Sequence, residues 1–216
     1  MIGNSSASGD AGVGRGATND PVERRLKFAG DSAFHNELKR RVDSYFRNTG
    51  KRPRDNPAMY IKTAVILGVF AVSYALLAFV IESWWIAVPV AALLGFATAG
   101  IGFNIMHDAG HGAYSRFHAI NRMLSWTLDL IGGSSYFWRW KHGVYHHTYA
   151  NITLLDTDVE VAGLGRLTPH QPWHHMHRWQ HWYIWPLYGV MAIKWHVYDD
   201  FRDLWNGRIG EHAVPR

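Results

Sequence analysis

No cysteine occurs among the 216 residues. Disulfides, zinc–thiolate sites and iron–sulfur clusters are therefore excluded, and any metal must be held by nitrogen or oxygen ligands. The chain also lacks an early apolar run of the kind that opens a secretory signal, so its N-terminus is expected to stay in the cytoplasm. The formal charge is +5 and the pI about 9.5. The basic residues are separated by hydrophobic runs rather than gathered into a patch with interleaved aromatics, which argues against nucleic acid as a partner.

Charge is missing altogether from two long stretches. Residues 63–81 carry none, and at 1.5 Å per residue they cover roughly 28 Å, close to a bilayer core. A second uncharged stretch runs from Ser83 to Met106, with Trp84 and Trp85 at its start as interface anchors. The mean hydropathy of -0.17 hides this uneven distribution. Transmembrane helices are expected near 60–81 and 84–106, joined as a tight hairpin. The alternative is a buried hairpin in a soluble protein. Residues 1–62 hold 12 Lys/Arg against 7 Asp/Glu, and the turn between the spans holds Glu82 and no base. The positive-inside rule then puts the N-terminal part, and the residues after the hairpin, in the cytoplasm.

Residues 1–22 are rich in Gly, Ser, Ala and Asn, and are expected to be a disordered tail. Residues 33–47 place Phe34, Leu38, Val42 and Phe46 at a spacing of four. That pattern predicts an amphipathic helix, lying on the membrane surface or packing on the cytoplasmic domain. Residues 119–137 read as an interfacial segment, and 182–197 as a possible third span. Nine of the 11 tryptophans fall between Trp126 and Trp205, which fits a domain seated at a lipid interface.

Histidine is abundant, with 14 residues. His107 and His111 stand four apart just after the second uncharged stretch. His142 and His146 repeat the spacing, and His147 adds a donor. On a helix each pair projects from one face, and imidazole-rich sites suit Zn, Cu, Fe or Ni. These five are the candidate metal ligands. HDAGH is not the HExxH pattern of zinc peptidases. Asp108 is better cast as a carboxylate that accepts an imidazole N–H and holds the ligand's orientation. Asn104, one turn before His107, is a second candidate at the site, through a held water. Asn151, Asp156 and Asp158 follow the second cluster, where they could position the next helix or support the ligands. A third cluster, HQPWHHMHRWQH at 170–181, could complete a metal shell or form a polar surface. Gly110 and Gly112 could allow close packing around the site.

Together, His107-Asp-Ala-Gly-His111, His142-Gly-Val-Tyr-His146-His147 with the following Thr-Tyr-Ala-Asn151, Asp156-Thr-Asp158 and the run from His177 to Pro186 resemble the membrane fatty acid desaturase family, in its acyl-lipid and linoleoyl-CoA desaturase-like branch. The resemblance covers roughly residues 30–216. It implies an all-α membrane protein, with a transmembrane hairpin followed by a cytoplasmic histidine-rich helical region, and a partial desaturase domain over 23–216. It also implies two non-haem irons, O₂ as co-substrate, a fatty acyl lipid or acyl-CoA substrate, and electrons from ferredoxin or a cytochrome b5 type donor. No HPGG or GxGxxG motif occurs, so a fused cytochrome b5 domain or an internal nucleotide site is not expected.

Family members continue to a third histidine box of the HxxHH or QxxHH type. Here only His196 and His212 follow, and neither makes that pattern. The expectation is an N-terminal portion of a desaturase, poorly active by itself. The rival readings are a truncated or non-catalytic remnant, a related di-iron hydroxylase or ketolase, and a zinc or copper membrane protein.

Overall fold

The computed structural model describes residues 32–153, 155–159, 161 and 163–215. The expected disordered tail at 1–22 lies outside them. The chain divides into two compact units, residues 1–49 and 50–216.

In the first unit, α1 (Ala33–Thr49) buries none of its residues. Glu37 bridges Arg40 and Arg41 at 2.7 Å each, pairs three and four residues on. The hydrogen bonds from Arg40 and Arg41 lower the Glu37 carboxyl to about 2.

The second unit begins with α2 (Pro57–Phe79). Asn56 caps it by accepting from the Ala58 N–H at 3.0 Å, and Pro57 takes the first helical position, where its missing N–H costs nothing. Four residues, Val80 to Ser83, connect it to α3 (Trp84–Gly110). Both helices have a mean hydropathy of 2.0 over their most apolar windows, and only 11% of each window is buried. Val65 and Val72 on α2 are both 59% exposed, and Phe96 on α3 is 78% exposed. A core helix of a soluble protein mostly buries such residues. The two helices are long and apolar enough to cross a membrane.

One face of α3 does find partners. Ile101, Ile105 and Ala109, at helical spacing, are buried with Tyr114 and Leu124, and Ile66, Leu67 and Phe70 of α2 pack against them. At Gly100 an added Cβ would lie 3.2 Å from Ile66, so α2 and α3 approach closely there.

The two helices are also stapled beside their charged ends. Asp55, in the left-handed region at φ 58°, accepts from the Ser115 hydroxyl, the Tyr60 hydroxyl and the Arg116 N–H. Its own N–H donates to the Tyr114 carbonyl at 3.0 Å. The Tyr114 hydroxyl pairs with Thr63 at 2.7 Å, and its ring meets Tyr60 edge to face. The hydrogen bond from Ser115, joined by those from Tyr60 and Arg116, holds the Asp55 carboxyl below its ordinary range.

Short helices α4 (His118–Ser125) and α5 (Thr127–Leu130) lead to a helix over residues 135–149, here α6. Ser134 caps it with its hydroxyl. A long helix over residues 180–206, α7, ends at Gly207, whose φ of 65° suits glycine at a helix terminus. The segment 182–197 lies within α7, which goes on through Asp199, Asp200, Arg202 and Asp203. Irregular chain with two short 3-10 turns, Thr157–Val159 and His175–Trp179, fills most of the stretch between α6 and α7, and the strands among the described residues are one antiparallel pair, β1 (Arg208–Ile209) and β2 (His212–Ala213).

This hairpin sits on α6. The Tyr145 hydroxyl accepts from the Glu211 and His212 N–H groups, and the His212 ring stacks on Trp140 at 3.5 Å. Lys141 ties α6 to α7 through Asp200 and Asp203, each at 2.8 Å. Burial works against the Lys141 ammonium, but the two carboxylates outweigh it and raise its pKa.

Three π-turns interrupt the long helices, at Ile101–Met106, Lys141–His146 and Lys194–Asp199. In each, the residue that follows donates its N–H to the carbonyl five back: His107 to Gly102, His147 to His142 and Asp200 to Trp195. Such bulges concentrate at functional sites, and the first two adjoin or contain the histidine clusters.

Candidate metal centre

His107 and His111 stand at the C-terminal end of α3, beyond its π-turn. His142, His146 and His147 stand on α6, within and just after the second. The structure brings the five rings together. Ring centroids of His107 and His111 lie 4.7 Å apart, those of His111 and His147 4.6 Å, and those of His142 and His147 4.9 Å. The Nε2 atoms of His111 and His147 face each other at 3.2 Å. Two nitrogens bound to one ion at about 2.1 Å would stand about 3.0–3.4 Å apart, depending on the angle between them. A ring nitrogen each from His107, His111 and His142 also lie within 4.8 Å of one another.

Carboxylates orient the α6 ligands. Asp158 accepts from His142 Nδ1 at 2.9 Å, and Asp156 from His146 Nδ1 at 3.0 Å. Each bond leaves the Nε2 lone pair free for an ion. Asp156 is fully buried and over-determined, because it also accepts from the Asn151 and Asp158 N–H groups. His142, His146 and Asp158 form a second group of potential ligands. Its close contacts run through Nδ1 and are explained by direct hydrogen bonds, so these atoms hold the ligands rather than an ion. Asp108 lies 3.4 Å from His107 Nδ1, a looser version of the same contact.

Trp138 forms one wall. Its ring stacks on His142 at 4.8 Å and meets His107 and His111 edge to face. Gly110 makes room for it, since a Cβ there would lie 2.3 Å from the indole. Gly112 has open space at its Cβ position but a φ of 66°, which lets the chain leave α3.

Burial, with the neighbouring His107, His147 and His142 rings, pushes His111 down to about 4. Burial and the rings of His142, His146 and His107 lower His147 as well. Both are thus neutral near pH 7, the form that binds a metal. The buried Nε2 of His142 has no hydrogen-bond partner. A buried ring nitrogen without a partner, aimed among other imidazoles, fits a metal ligand, so the donor set suits the ion that the sequence pattern implies.

Other candidates lie elsewhere. Asn104 accepts from Lys62 Nζ at 2.9 Å. In the third cluster, His177 accepts the His174 N–H at Nδ1 and donates from Nε2 to the Gly163 carbonyl, closing a helix N-terminus. Among the described residues, no group of potential ligands includes the histidines of 170–181. His196 donates to the Ala192 carbonyl. Trp138 escaped the sequence reading, although its place four residues before His142 was a signal.

The sequence model of the family described as fatty acid desaturase matches residues 82–213. An sn-1 linoleoyl-lipid 6-desaturase of Arthrospira platensis is 38% identical over 193 residues, covering 88% of this chain and 52% of that protein. The enzyme of the same name from Synechocystis sp. is 37% identical, over 88% and 53%. An acyl-lipid (8-3)-desaturase of Physcomitrium patens is 35% identical, over 85% and 38%. The chain thus spans about half the length, or less, of these relatives. No solved structure matches it significantly. The family match covers α3, α6 and α7 and every histidine of the cluster, and on that ground the chain belongs to the fatty acid desaturase family.

Proposed function

We propose that the five-histidine cluster is part of an iron centre for oxygen-dependent desaturation of a membrane acyl lipid. The observation that carries this reading is the buried, unpartnered Nε2 of His142 among the rings of His107, His111 and His147. Iron there would supply dioxygen activation. The chain's own residues hold and orient it: His107, His111, His142, His146 and His147 as ligands, Asp156 and Asp158 fixing His146 and His142. Trp138 screens one side from water. The acyl chain loses two hydrogens as a double bond forms. With two electrons, delivered one at a time by an external donor of the ferredoxin or cytochrome b5 type, and two protons from solvent, O₂ becomes two waters. The relatives' names point to an acyl-lipid substrate. Helices α2 and α3 would cross the bilayer, with the cluster on the cytoplasmic side, where the charge asymmetry puts it.

The test is iron, zinc and copper per chain after anaerobic purification in detergent, beside a His142→Ala variant. Iron should bind to the native chain and fall sharply in the variant. Membranes holding the iron-loaded chain, linoleoyl lipid and reduced ferredoxin should then yield a further double bond only in traces, because the cluster is part of the centre. Zinc or copper bound in preference, or iron indifferent to His142, would sink the proposal. An inserted oxygen in place of a double bond would assign the site to hydroxylation.

A further inference from the structure

We infer that α1 is an interfacial helix, seated on an anionic lipid surface through Phe34, Leu38, Val42 and Phe46. The inference rests on the membrane embedding of α2 and α3.

At 100° per residue these four side chains sweep an arc of about 120°, with His35, Tyr45 and Thr49 inside it. Lys39 falls on one flank of that arc and Arg41 on the other, while Arg40, Asp43, Ser44 and Arg47 occupy the far side. Phe34 is 79% exposed, Leu38 49% and Val42 45%, and the helix buries nothing. An arc of this width, mostly apolar and left open on a helix whose other faces are charged or polar, calls for an apolar neighbour.

Charge and connectivity identify that neighbour. Residues 33–54 hold seven Lys/Arg against two Asp/Glu, Glu37 and Asp43. Glu37 is already held by two arginines. The balance favours an anionic partner, and long basic side chains at the edges of an apolar arc can lay their stems on lipid and lift their charges to the headgroups. Only residues 50–56 separate α1 from α2 in sequence. Seven extended residues reach about 25 Å at most, so a chain whose α2 crosses a bilayer keeps α1 within reach of that bilayer's surface. A lipid surface therefore meets the apolar arc, the basic excess and the short tether together.

The absence of cysteine makes the test direct. Leu38→Cys, Val42→Cys, Arg40→Cys and Ser44→Cys variants of the full chain are spin-labelled one at a time. They are reconstituted in phosphatidylcholine vesicles with a minority of phosphatidylglycerol. Labels at 38 and 42 should be reached by oxygen and shielded from a water-soluble nickel chelate, and labels at 40 and 44 the reverse. That contrast should shrink when phosphatidylglycerol is omitted. Nickel access at all four sites would overturn the inference. So would labels at 38 and 42 shielded from both probes, which would put α1 against protein, or a contrast indifferent to lipid charge. A Val72→Cys label on α2 separates the two readings. Oxygen access there with nickel access at 38 and 42 defeats only the α1 inference, whereas nickel access at 72 defeats the membrane embedding and this inference with it.

Discussion

At the scale of single residues, the proposed metal centre is built on side chains outside the five histidines. Asp156 accepts from His146 Nδ1 and two backbone N–H groups at once. Asp156→Asn keeps its shape but replaces one acceptor with a donor. Metal affinity should fall by roughly 10–100-fold, the usual cost of losing such a support. A cobalt or iron titration reads it, and unchanged affinity would refute the orienting role. Gly110→Ala places a methyl group 2.3 Å from the Trp138 indole, which already packs against His107, His111 and His142. Overpacking of this kind costs about 1–3 kcal/mol. The variant should melt earlier in detergent and bind less iron, whereas native behaviour in both would mean that the indole moves freely. The histidines that come together in the cluster were legible in the sequence because imidazole chemistry concentrates in two short motifs. Asp156 and Asp158 were half legible, as carboxylates near a box but without known targets. Trp138 was hidden among 11 tryptophans.

At the scale of elements, the link between α2 and the residues after α3 is carried by polar contacts. Asp55, Tyr60 and Thr63 meet Tyr114, Ser115 and Arg116 three to five positions beyond His111. Asp55 is held below its ordinary value of 3.8 by the Ser115 hydrogen bond. Its contribution is therefore fully present above pH 3.8 and is lost as pH falls through its lower folded value. The stability gap between native protein and Asp55→Asn, followed by denaturation in detergent, should be constant near neutrality and close under acid. A gap that stays open at low pH would mean that the carboxylate charge plays no part. The sign reverses for Lys141, whose raised pKa keeps its two ion pairs intact through neutrality and gives them up only above 10.5. None of these links was readable beforehand, because they join residues 51 to 61 positions apart, where no periodicity points. The helices themselves were readable from their uncharged runs and spacing. Their π-turns were not, since one inserted residue leaves no mark on composition.

At the scale of the whole molecule, the sequence and the structure agree on a mostly helical chain of the desaturase family. They differ in one small element, the β1–β2 pair, which Gly207 and Gly210 turn, at φ values of 65° and 55°, and which Tyr145 holds. Too short to show a strand pattern, it gave no signal in advance. What dominates the molecule is how little of its apolar surface is covered. Phe79, Phe103, Trp182, Trp185 and Trp205 are all more than 70% exposed. In water that surface would drive aggregation, so the protein should remain dispersed only in detergent or lipid.

Each π-turn uses one residue more than an α-turn, which rotates whatever lies beyond it by roughly 100° without adding a loop. In α3 the turn at Ile101–Met106 separates the apolar half from His107 and His111. The helix works as two sections of one shaft with a fixed phase offset. Because the angular position of the imidazoles is set at the joint, the apolar section is free to vary in sequence with the lipid around it while the histidines keep their aim.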